Sequence, residues 1–434
     1  MILFYLVIKC YPSMAASVNS QLPLVALSSV EYYKNIMTIH LLSTLASIAN
    51  TIDMINPRLN LHHVRTAFIA SHIARLVNFS PSQQRKTVLA ALVHDIGGLN
   101  EQSRLEPLNY LDDEDNNHAL IGSELLSWIP LFRPLNRIVR FHHTHWRNGL
   151  GYYAEGEQVP EESHLLFFAD RLDVLYCQYR TEHSTHSGEA LLKILDAGVN
   201  DLYKEEYINA FRVLSLNEHF WSVMTSCNYQ DYIKEINGIN NDVISLHNLR
   251  DITLLLSFII DQFSQQIPWH SIAVGRIAGY LAARIEMSTA QTLRVEIGGM
   301  LHNIYSLDHR VPQEYTSTAN KIKKARYPIE GIDDIFEWLS AQNSTTHGNL
   351  SAKKHEPEAV LIAIARQVVD ALDNSRAREV SLDLLVKRNQ RDEMHFFIMS
   401  LVAQYSSQII QIYQTTAEEV TELVDRIEPL THSG

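Results

Sequence analysis

The sequence predicts an all-α protein, and three observations support this. Apolar residues recur at three- and four-residue steps, as in Leu45, Ile48, Ile52 and Ile55, which places their side chains on one face of a helix. Glycine (16) and proline (13) are sparse in a chain of 434 residues and fall mostly between such runs. The alternating apolar and polar pattern of half-buried strands is hard to find. The chain is therefore expected to consist of helices joined by loops.

The start of the chain is the first exception to this pattern. Residues 1–8 are apolar but too short to span a membrane, and they lack the basic lead of a secretory signal. We expect residues 1–20 to form a flexible tail, with translation beginning at Met1 or at Met14.

An internal repeat organises the rest of the chain. Identical residues recur 208 positions apart without a gap: His62 with His270, Asp53 with Asp261, and His94 with His302. A helical repeat this long indicates two copies of one domain rather than a solenoid of short units. The sequence predicts a first domain over residues 21–227, a polar linker at 228–241 and a second domain over 242–434.

The two copies differ in their chemistry. Extending the alignment places Asn303 opposite Asp95, Tyr327 opposite His118, Gly331 opposite Gly122, Gln367 opposite Asp170 and Asp370 opposite Asp173. Amide and phenol groups are poorer ligands for a divalent cation than carboxylate and imidazole. A metal site is therefore expected only in the first copy. The second copy is expected to be kept for packing, dimerisation or sensing.

Composition and charge narrow the functional classes. The formal net charge of −13 argues against broad binding of DNA or RNA, while a local anion pocket stays open. No run of about 18 uncharged apolar residues predicts a membrane span. Three cysteines favour a reducing, cytoplasmic setting and give no Cys-based metal site. With 21 histidines available, a metal here would have imidazole and carboxylate ligands.

Candidate ligands in the first copy are spaced by about one helix and a loop, so successive helices of a bundle could each present one inward. A single histidine on a helix is more often a surface or core residue than a ligand. The ordered set is the stronger signal, because two metals that share a bridging carboxylate need roughly six to eight such groups. The set comprises His62, His94, Asp95, His118, His142, His143 and Asp170.

These motifs, in this order, resemble the HD-GYP branch of the HD-domain phosphohydrolases. The matching residues are His62-x-x-Arg65, His94-Asp95-x-Gly97, His118 with Gly122, His142-His143-x-x-Trp146, Gly149-x-Gly151-Tyr152 and Ala169-Asp170-x-x-Asp173. The resemblance covers about residues 45–185 strongly and about 245–380 weakly. It implies two tandem HD-type helical bundles, the second of them degenerate.

The resemblance also implies a function. Members are bacterial phosphodiesterases that hydrolyse cyclic dinucleotides, chiefly cyclic di-GMP and in some cases 3′3′-cyclic GMP-AMP, with two or three metals that are usually Fe or Mn. A metal-bridging water or hydroxide would attack phosphorus in line. Carried onto this chain, one metal would be held by His62, His94, Asp95 and Asp170, and Asp95 would bridge to a second metal held by His118, His142 and His143.

Two arginines receive roles through the same resemblance. Arg65 corresponds to an arginine that faces the substrate phosphate, and Arg180 to a basic position that helps to hold substrate. An alternative interpretation of Arg180 is equally well supported: it could be a solvent-exposed charge on a helix, with no role in binding substrate.

The chain departs from the family pattern at several positions. Gly98 replaces a lysine, Thr144 replaces a glutamate and Tyr153 replaces a proline. These changes weaken the case for cyclic di-GMP relative to other cyclic dinucleotides and leave contact with diguanylate cyclase-type proteins open. A homodimer is also left open, because the tandem copies could pack against each other instead. Arg58 stands where some members have a further carboxylate, which favours two metals over three.

Two alternatives remain at the level of the sequence. The protein could be a catalytically weak receptor or scaffold for a cyclic dinucleotide. It could also be another HD-type phosphohydrolase acting on a nucleotide monophosphate or an alarmone, although the His118 motif and the paired His142-His143 favour the two-metal branch.

Overall fold

The computed structural model describes residues 39–53, 59–99, 117–182, 188–236, 242–264, 266–306, 329, 331–343, 356–374, 378–388 and 393–431. The expected tail at 1–20, Arg58 and Tyr327 lie outside the described residues. Within the described part, helices account for nearly all regular structure. The all-α prediction is confirmed.

The first half of the chain contains ten described α-helices, three short strands and three 3-10 helices at Pro130–Phe132, Arg147–Tyr152 and Asp196–Gly198. The helices are α1 (Leu41–Asp53), α2 (His62–Leu76), α3 (Pro81–Ala91), α4 (Asn117–Trp128), α5 (Arg133–Arg140), α6 (Glu161–Glu182), α7 (Gly188–Leu195), α8 (Glu205–Leu214), α9 (Glu218–Ser226) and α10 (Tyr229–Ile236). The strands are β1 (Ile39–His40), β2 (Tyr153–Ala154) and β3 (Glu157–Gln158).

The second half contains one short strand and eight described helices. They are β4 (Val243–Ile244), α11 (Leu246–Ser264), α12 (His270–Arg284), α13 (Thr289–Met300), α14 (Asp333–Asn343), α15 (Pro357–Asp373), α16 (Arg378–Arg388), α17 (Glu393–Gln404) and α18 (Ser406–Thr431). Strand β4 pairs antiparallel with β1, and β2 pairs with β3 in a small hairpin.

Local sequence explains where several helices begin. Ser80 caps α3 by accepting from the backbone N–H of Gln83, whose side chain accepts from the N–H of Ser80. Ser288 and Gln291 form the same capping box at the start of α13. Such boxes satisfy the free N–H groups of the first helical turn. The two boxes lie 208 residues apart, as do the starts of α2 and α12.

The two halves share one continuous apolar core. Helix α18 packs on α12 in its own half and on α4 in the other half. The Trp128 ring meets Phe258 edge to face at 6.1 Å, and Ile39 pairs with Ile244 in the strand ladder. The helices that carry the candidate ligands are therefore held from both halves.

The structure differs from the predicted linker at 228–241. Residues Tyr229–Ile236 form helix α10, which packs against α2, and the side chains of Tyr232 and Ile236 are fully buried. Most residues of this segment are polar, which favours a linker in the sequence. Tyr232 and Ile236 are four positions apart, however, and this spacing places both on one face of a helix. The first half therefore extends to at least Ile236.

Candidate metal centre

The candidate ligands lie at helix ends and in the turns that follow helices. His62 begins α2, and His118 is the second residue of α4. His94 with Asp95 and His142 with His143 lie in the turns after α3 and α5, and Asp170 lies within α6. All seven residues are at most 6% exposed. Turn positions release a side chain from helical spacing, so neighbouring residues can point to different sides of one centre.

The structure brings the seven residues into two neighbouring groups, and Asp95, a member of one, has Oδ2 3.7 Å from His62 Nε2 and 3.4 Å from His94 Nε2 of the other. Asp95, His118, His142 and His143 form one group, and His62, His94 and Asp170 form another; in each, one ligand atom per residue lies within 4.8 Å of the others. The carboxylate of Asp95 faces both groups with different oxygens. These are clusters able to hold metal ions.

Distances within the group of His62, His94 and Asp170 are short. His62 Nε2 lies 3.3 Å from Asp170 Oδ1, 3.7 Å from Asp95 Oδ2 and 3.3 Å from His94 Nε2. Two imidazole nitrogens and carboxylate oxygens therefore converge on one point, which is the donor set that suits Fe, Mn or Zn.

His118, His142 and His143 lie on the other side of Asp95. Asp95 Oδ1 is 3.4 Å from His118 Nε2 and 3.6 Å from His142 Nε2. His118 Nε2 is 2.9 Å from His143 Nε2. Oδ2 of Asp95 faces His62 and His94, and Oδ1 faces His118 and His142. The carboxylate is therefore oriented to bridge two ions.

Outer partners fix which nitrogen of each ring points inward. His62 Nδ1 donates to Asp173 Oδ2 at 2.8 Å. His94 Nδ1 donates to the carbonyl of Ala91 at 2.9 Å, and His142 Nδ1 donates to the carbonyl of Val139 at 2.6 Å. Metal-binding histidines commonly donate their second N–H to a carboxylate or carbonyl, which fixes the tautomer and the ring orientation.

The electrostatics of the centre suit a cation. Burial alone would raise the pKa of Asp95, but the imidazoles of His94, His118, His142 and His62 hold it well below its usual value. Burial lowers the pKa of His142 to about 4 and holds that of His143 well below its usual range. At neutral pH the carboxylate is therefore ionised and these two imidazoles are neutral, which are the states that bind metals.

Several buried atoms of this centre lack a hydrogen-bond partner among the described residues. They are both oxygens of Asp95, Oδ1 of Asp170 and Nε2 of His142. Leaving such an atom unsatisfied costs about 1–3 kcal/mol, and more for a charged group. Asp95 Oδ2 and Asp170 Oδ1 lie beside His62, whereas Asp95 Oδ1 lies beside His142 Nε2. One cation on each side of Asp95 would satisfy these four atoms.

Arg65 lies elsewhere than the resemblance implied. Its guanidinium is buried, with Nε and Nη2 donating to Asp173 at 2.6 and 3.0 Å and Nη1 donating to the carbonyl of Asn60 at 2.6 Å. The group that was expected to face substrate phosphate therefore holds Asp173, the carboxylate that orients His62.

Arg180 is not brought to the cluster. It is exposed, and its Nη1 lies 3.3 Å from both the Tyr176 hydroxyl and Cys227 Sγ. Ten residues along α6 separate it from Asp170, which is about 15 Å at 1.5 Å per residue. His72 and His164 are not in the ligand set, and their rings bond to the backbone carbonyls of Phe68 and Thr144.

Sequence reasoning missed two residues of the centre. His63 is buried, is held by Asp53 through Nδ1 and has a ligand atom within 4.8 Å of those of His94 and Asp95. Arg171 is fully buried and donates to Asp170 Oδ2 at 2.6 Å, which leaves Oδ1 facing the cluster. The adjacent His62-His63 pair is the signal in the sequence that indicates His63, because the similar pair His142-His143 is predicted to supply two ligands. Nothing in the sequence pointed to Arg171.

The second half retains more of this arrangement than the alignment indicated. His270 Nδ1 donates to Asp373 Oδ2 at 2.7 Å, and His270 Nε2 lies 3.9 Å from Asp370 Oδ1. By these contacts Asp370 takes the place of Asp170, and Asp373 takes the place of Asp173. The contacts therefore pair Asp170 with Asp370 rather than with Gln367, an offset of 200 residues instead of 197.

The pairing of two glycines was also wrong. Gly122 lies inside α4, whereas Gly331 lies outside a helix with φ of 84°. The backbone conformations differ, so the two residues do not occupy equivalent positions.

Comparisons with known proteins agree with this arrangement. Residues 61–175 match the model of the HD domain. The chain is 23% identical over 369 residues to the 3′3′-cGAMP-specific phosphodiesterase 1 of Vibrio cholerae, covering 78% of this chain and 84% of that protein.

A solved structure shares the fold. The crystal structure of a cyclic GMP-AMP-specific phosphodiesterase of V. cholerae superposes with a TM-score of 0.53 at 14% identity, covering 85% of this chain and 98% of that one. The matched HD segment begins one residue before His62 and ends two residues after Asp173, so it contains both groups around Asp95. Residues 61–175 of this chain are therefore similar to an HD domain.

Proposed function

We propose that the protein is a metal-dependent phosphodiesterase that hydrolyses a bacterial cyclic dinucleotide, with 3′3′-cyclic GMP-AMP as the first candidate and cyclic di-GMP as the second. One observation carries the proposal: two groups of buried ligand atoms share the single carboxylate of Asp95, with opposite oxygens facing each group. Two-metal centres of this kind serve phosphoryl transfer because they stabilise the attacking and leaving oxygens together. The similarity to the V. cholerae phosphodiesterase supports the choice of substrate class.

The proposed ligands follow from the two groups. His62, His94, Asp170 and Asp95 would hold one divalent ion, and Asp95, His118, His142 and His143 the other, with Fe or Mn as the expected metals. When bound, the ions supply Lewis-acid activation of water and neutralisation of phosphate charge. They also explain how a chain of net charge −13 would bind an anionic substrate.

The chain's own residues prepare the centre for this chemistry. Asp173 and Arg65 hold the ring of His62, and Arg171 holds Asp170. The carbonyls of Ala91 and Val139 hold His94 and His142. Because these partners are in place before substrate binds, the ligands need little reorganisation. Residues around the centre are buried, which limits access of bulk water.

We further propose a tandem arrangement in which residues 242–434 are a degenerate second copy. Its support is the equal spacing of the capping boxes and of the His62 and His270 helices. None of the described helices combines the length and apolar character needed to cross a bilayer. Within the described residues Cys177 and Cys227 form no disulfide, in keeping with the cytoplasmic location that we propose.

Product analysis tests the substrate. Metal-loaded protein is incubated under reducing conditions with 3′3′-cyclic GMP-AMP, cyclic di-GMP, cyclic di-AMP and a set of nucleoside monophosphates, and products are identified by mass spectrometry. We expect a linear dinucleotide, or its mononucleotides, to form fastest from 3′3′-cyclic GMP-AMP. Dinucleotide binding without turnover would favour the receptor alternative. Release of phosphate from monophosphates alone would favour another HD-type phosphohydrolase.

Arg65 gives a prediction that separates two roles. We expect Arg65→Lys to lower kcat by about 10–100-fold with little change in KM, because lysine keeps the charge but cannot hold Asp173 through two parallel bonds. A residue that contacts substrate phosphate would instead raise KM. Steady-state kinetics measure both constants, with Arg75→Lys at the exposed end of the same helix as the control. A rise in KM with unchanged kcat would restore the substrate-binding role.

A further inference from the structure

The second half contains a smaller cluster of the same residue types. His270 begins α12, His302 lies in the turn after α13, and Asp370 lies near the end of α15. The rings of His270 and His302 have centroids 5.4 Å apart, against 5.2 Å for His62 and His94. The spacing of the two rings is therefore retained in the second half, although the ligand atoms of His270, His302 and Asp370 do not all lie within 4.8 Å of one another.

Both rings are held so that Nε2 points inward. His270 Nδ1 donates to Asp373 at 2.7 Å. His302 Nδ1 donates to the carbonyl of Gly299 at 2.7 Å, as His94 does to Ala91 at the equivalent position. In both histidines this leaves Nε2 as the lone-pair atom, which is the form that binds a metal.

One atom of the cluster is unsatisfied. His302 is only 6% exposed, and its Nε2 has no hydrogen-bond partner among the described residues. Burying a polar nitrogen without a partner costs free energy. A bound ligand would remove this cost, and the His270 ring lies 5.4 Å away, centroid to centroid.

Charge around the cluster favours a cation. The carboxylates of Asp261, Asp370 and Asp373 all act on His270 and raise its pKa against the effect of burial. The positive groups that act on His302 are His270 and the exposed Arg366. The three carboxylates outnumber these two groups, which favours a cation in the cluster.

We propose that His270, His302 and Asp370 form a single-metal site that takes a divalent transition metal. Two imidazoles and one carboxylate leave positions for water, and this donor set suits Fe, Mn, Co or Zn. The side chain of Asp370 is 50% exposed and its Oδ1 lies 3.9 Å from His270 Nε2, so it closes onto the ion by rotating. It has this freedom because Ala371 stands where Arg171 fixes Asp170 in the first half.

The bridge to a second ion is absent from this site. Asn303 stands in place of Asp95, and its amide donates to Ser271 Oγ at 3.3 Å. Tyr305 occupies the position of Gly97. The site is therefore distinct in stoichiometry from the centre around Asp95, and it does not depend on the function proposed for that centre.

Equilibrium dialysis of the full chain against Co²⁺ tests the proposal, with bound metal counted for wild type, Asp370→Ala, His302→Ala and Asp383→Ala. The last removes an exposed aspartate on α16 and is the matched control. We expect Asp370→Ala and His302→Ala each to bind one equivalent fewer than wild type, with Asp383→Ala unchanged. Equal binding by wild type and Asp370→Ala would overturn the site.

The two variants complement each other. His302 is buried, so circular dichroism is needed to show whether His302→Ala folds. If His302→Ala does not fold, Asp370→Ala still tests the site, because the side chain of Asp370 is half exposed. The measurement is a difference of one equivalent between variants, so it stands even if the first half binds no metal. Failure of hydrolysis in the substrate panel would leave this count unaffected.

Discussion

Asp95→Asn is expected to abolish hydrolysis while leaving the fold intact. The substitution keeps the size of the side chain but removes the charge and one of the two oxygens that face the ligand groups. Changes in outer partners of metal sites typically cost 10–100-fold. Loss of the shared ligand should exceed this, and we expect at least about a thousandfold loss in kcat. Initial rates on the preferred dinucleotide measure the effect.

The second half already contains this substitution. Asn303 stands at the position of Asp95, and its amide is taken up by hydrogen bonds to Asp261 and Ser271. We therefore expect Asp95→Asn to fold, and thermal unfolding of the metal-free protein checks this. Asp201→Asn, at an exposed position of the first half, is the control. Retention of more than about a tenth of wild-type activity would contradict a shared, bridging role.

Gly97→Ala is expected to cost both stability and activity. A Cβ at this position would lie 2.0 Å from the carbonyl oxygen of His118 and 2.4 Å from the backbone nitrogen of Gly122. Both contacts are backbone atoms of α4, so no side chain can rotate away. We expect a loss of about 3 kcal/mol or more in the free energy of unfolding, since overpacking costs 1–3 kcal/mol even where side chains adjust.

The activity loss follows from the same contact. Moving α4 away from the turn that carries Asp95 also moves His118, whose Nε2 lies 3.4 Å from Asp95 Oδ1. Gly122→Ala is the matched control, because its nearest contact is a side-chain atom of Val139 at 3.2 Å. We expect that variant to change stability by about 1 kcal/mol or less, because alanine also favours the helix. Denaturant unfolding compares the two, and equal stabilities would refute the close approach.

The sequence predicts much of this centre because its ligands follow local patterns. The all-α fold follows from periodicity, and the adjacent pairs at 94–95 and 142–143 mark turns at helix ends. The seven candidate residues were named from these pairs and from the ordered motifs, and the structure brings all seven together. Their roles as ligands remain a prediction.

Tertiary contacts explain what the sequence does not predict. The direction of the Arg65 side chain depends on Asp173, which is 108 residues away, and on Asn60, which is 5 residues away. The place of Asp370 depends on the length of the connections that precede α15, which differ between the halves. The helix at Tyr229–Ile236 has a polar composition, and it is fixed by the burial of Tyr232 against α2. Each of these depends on a neighbour that is distant in sequence or on a loop length.

The central claim is that Asp95 is shared by two ions, and anomalous diffraction from crystals of the full chain loaded with Mn²⁺ tests it most directly. The account predicts two anomalous peaks in the first half, one beside His62, His94 and Asp170 and one beside His118, His142 and His143, with the carboxylate of Asp95 between them. A single peak, or two peaks that Asp95 does not contact, would contradict it.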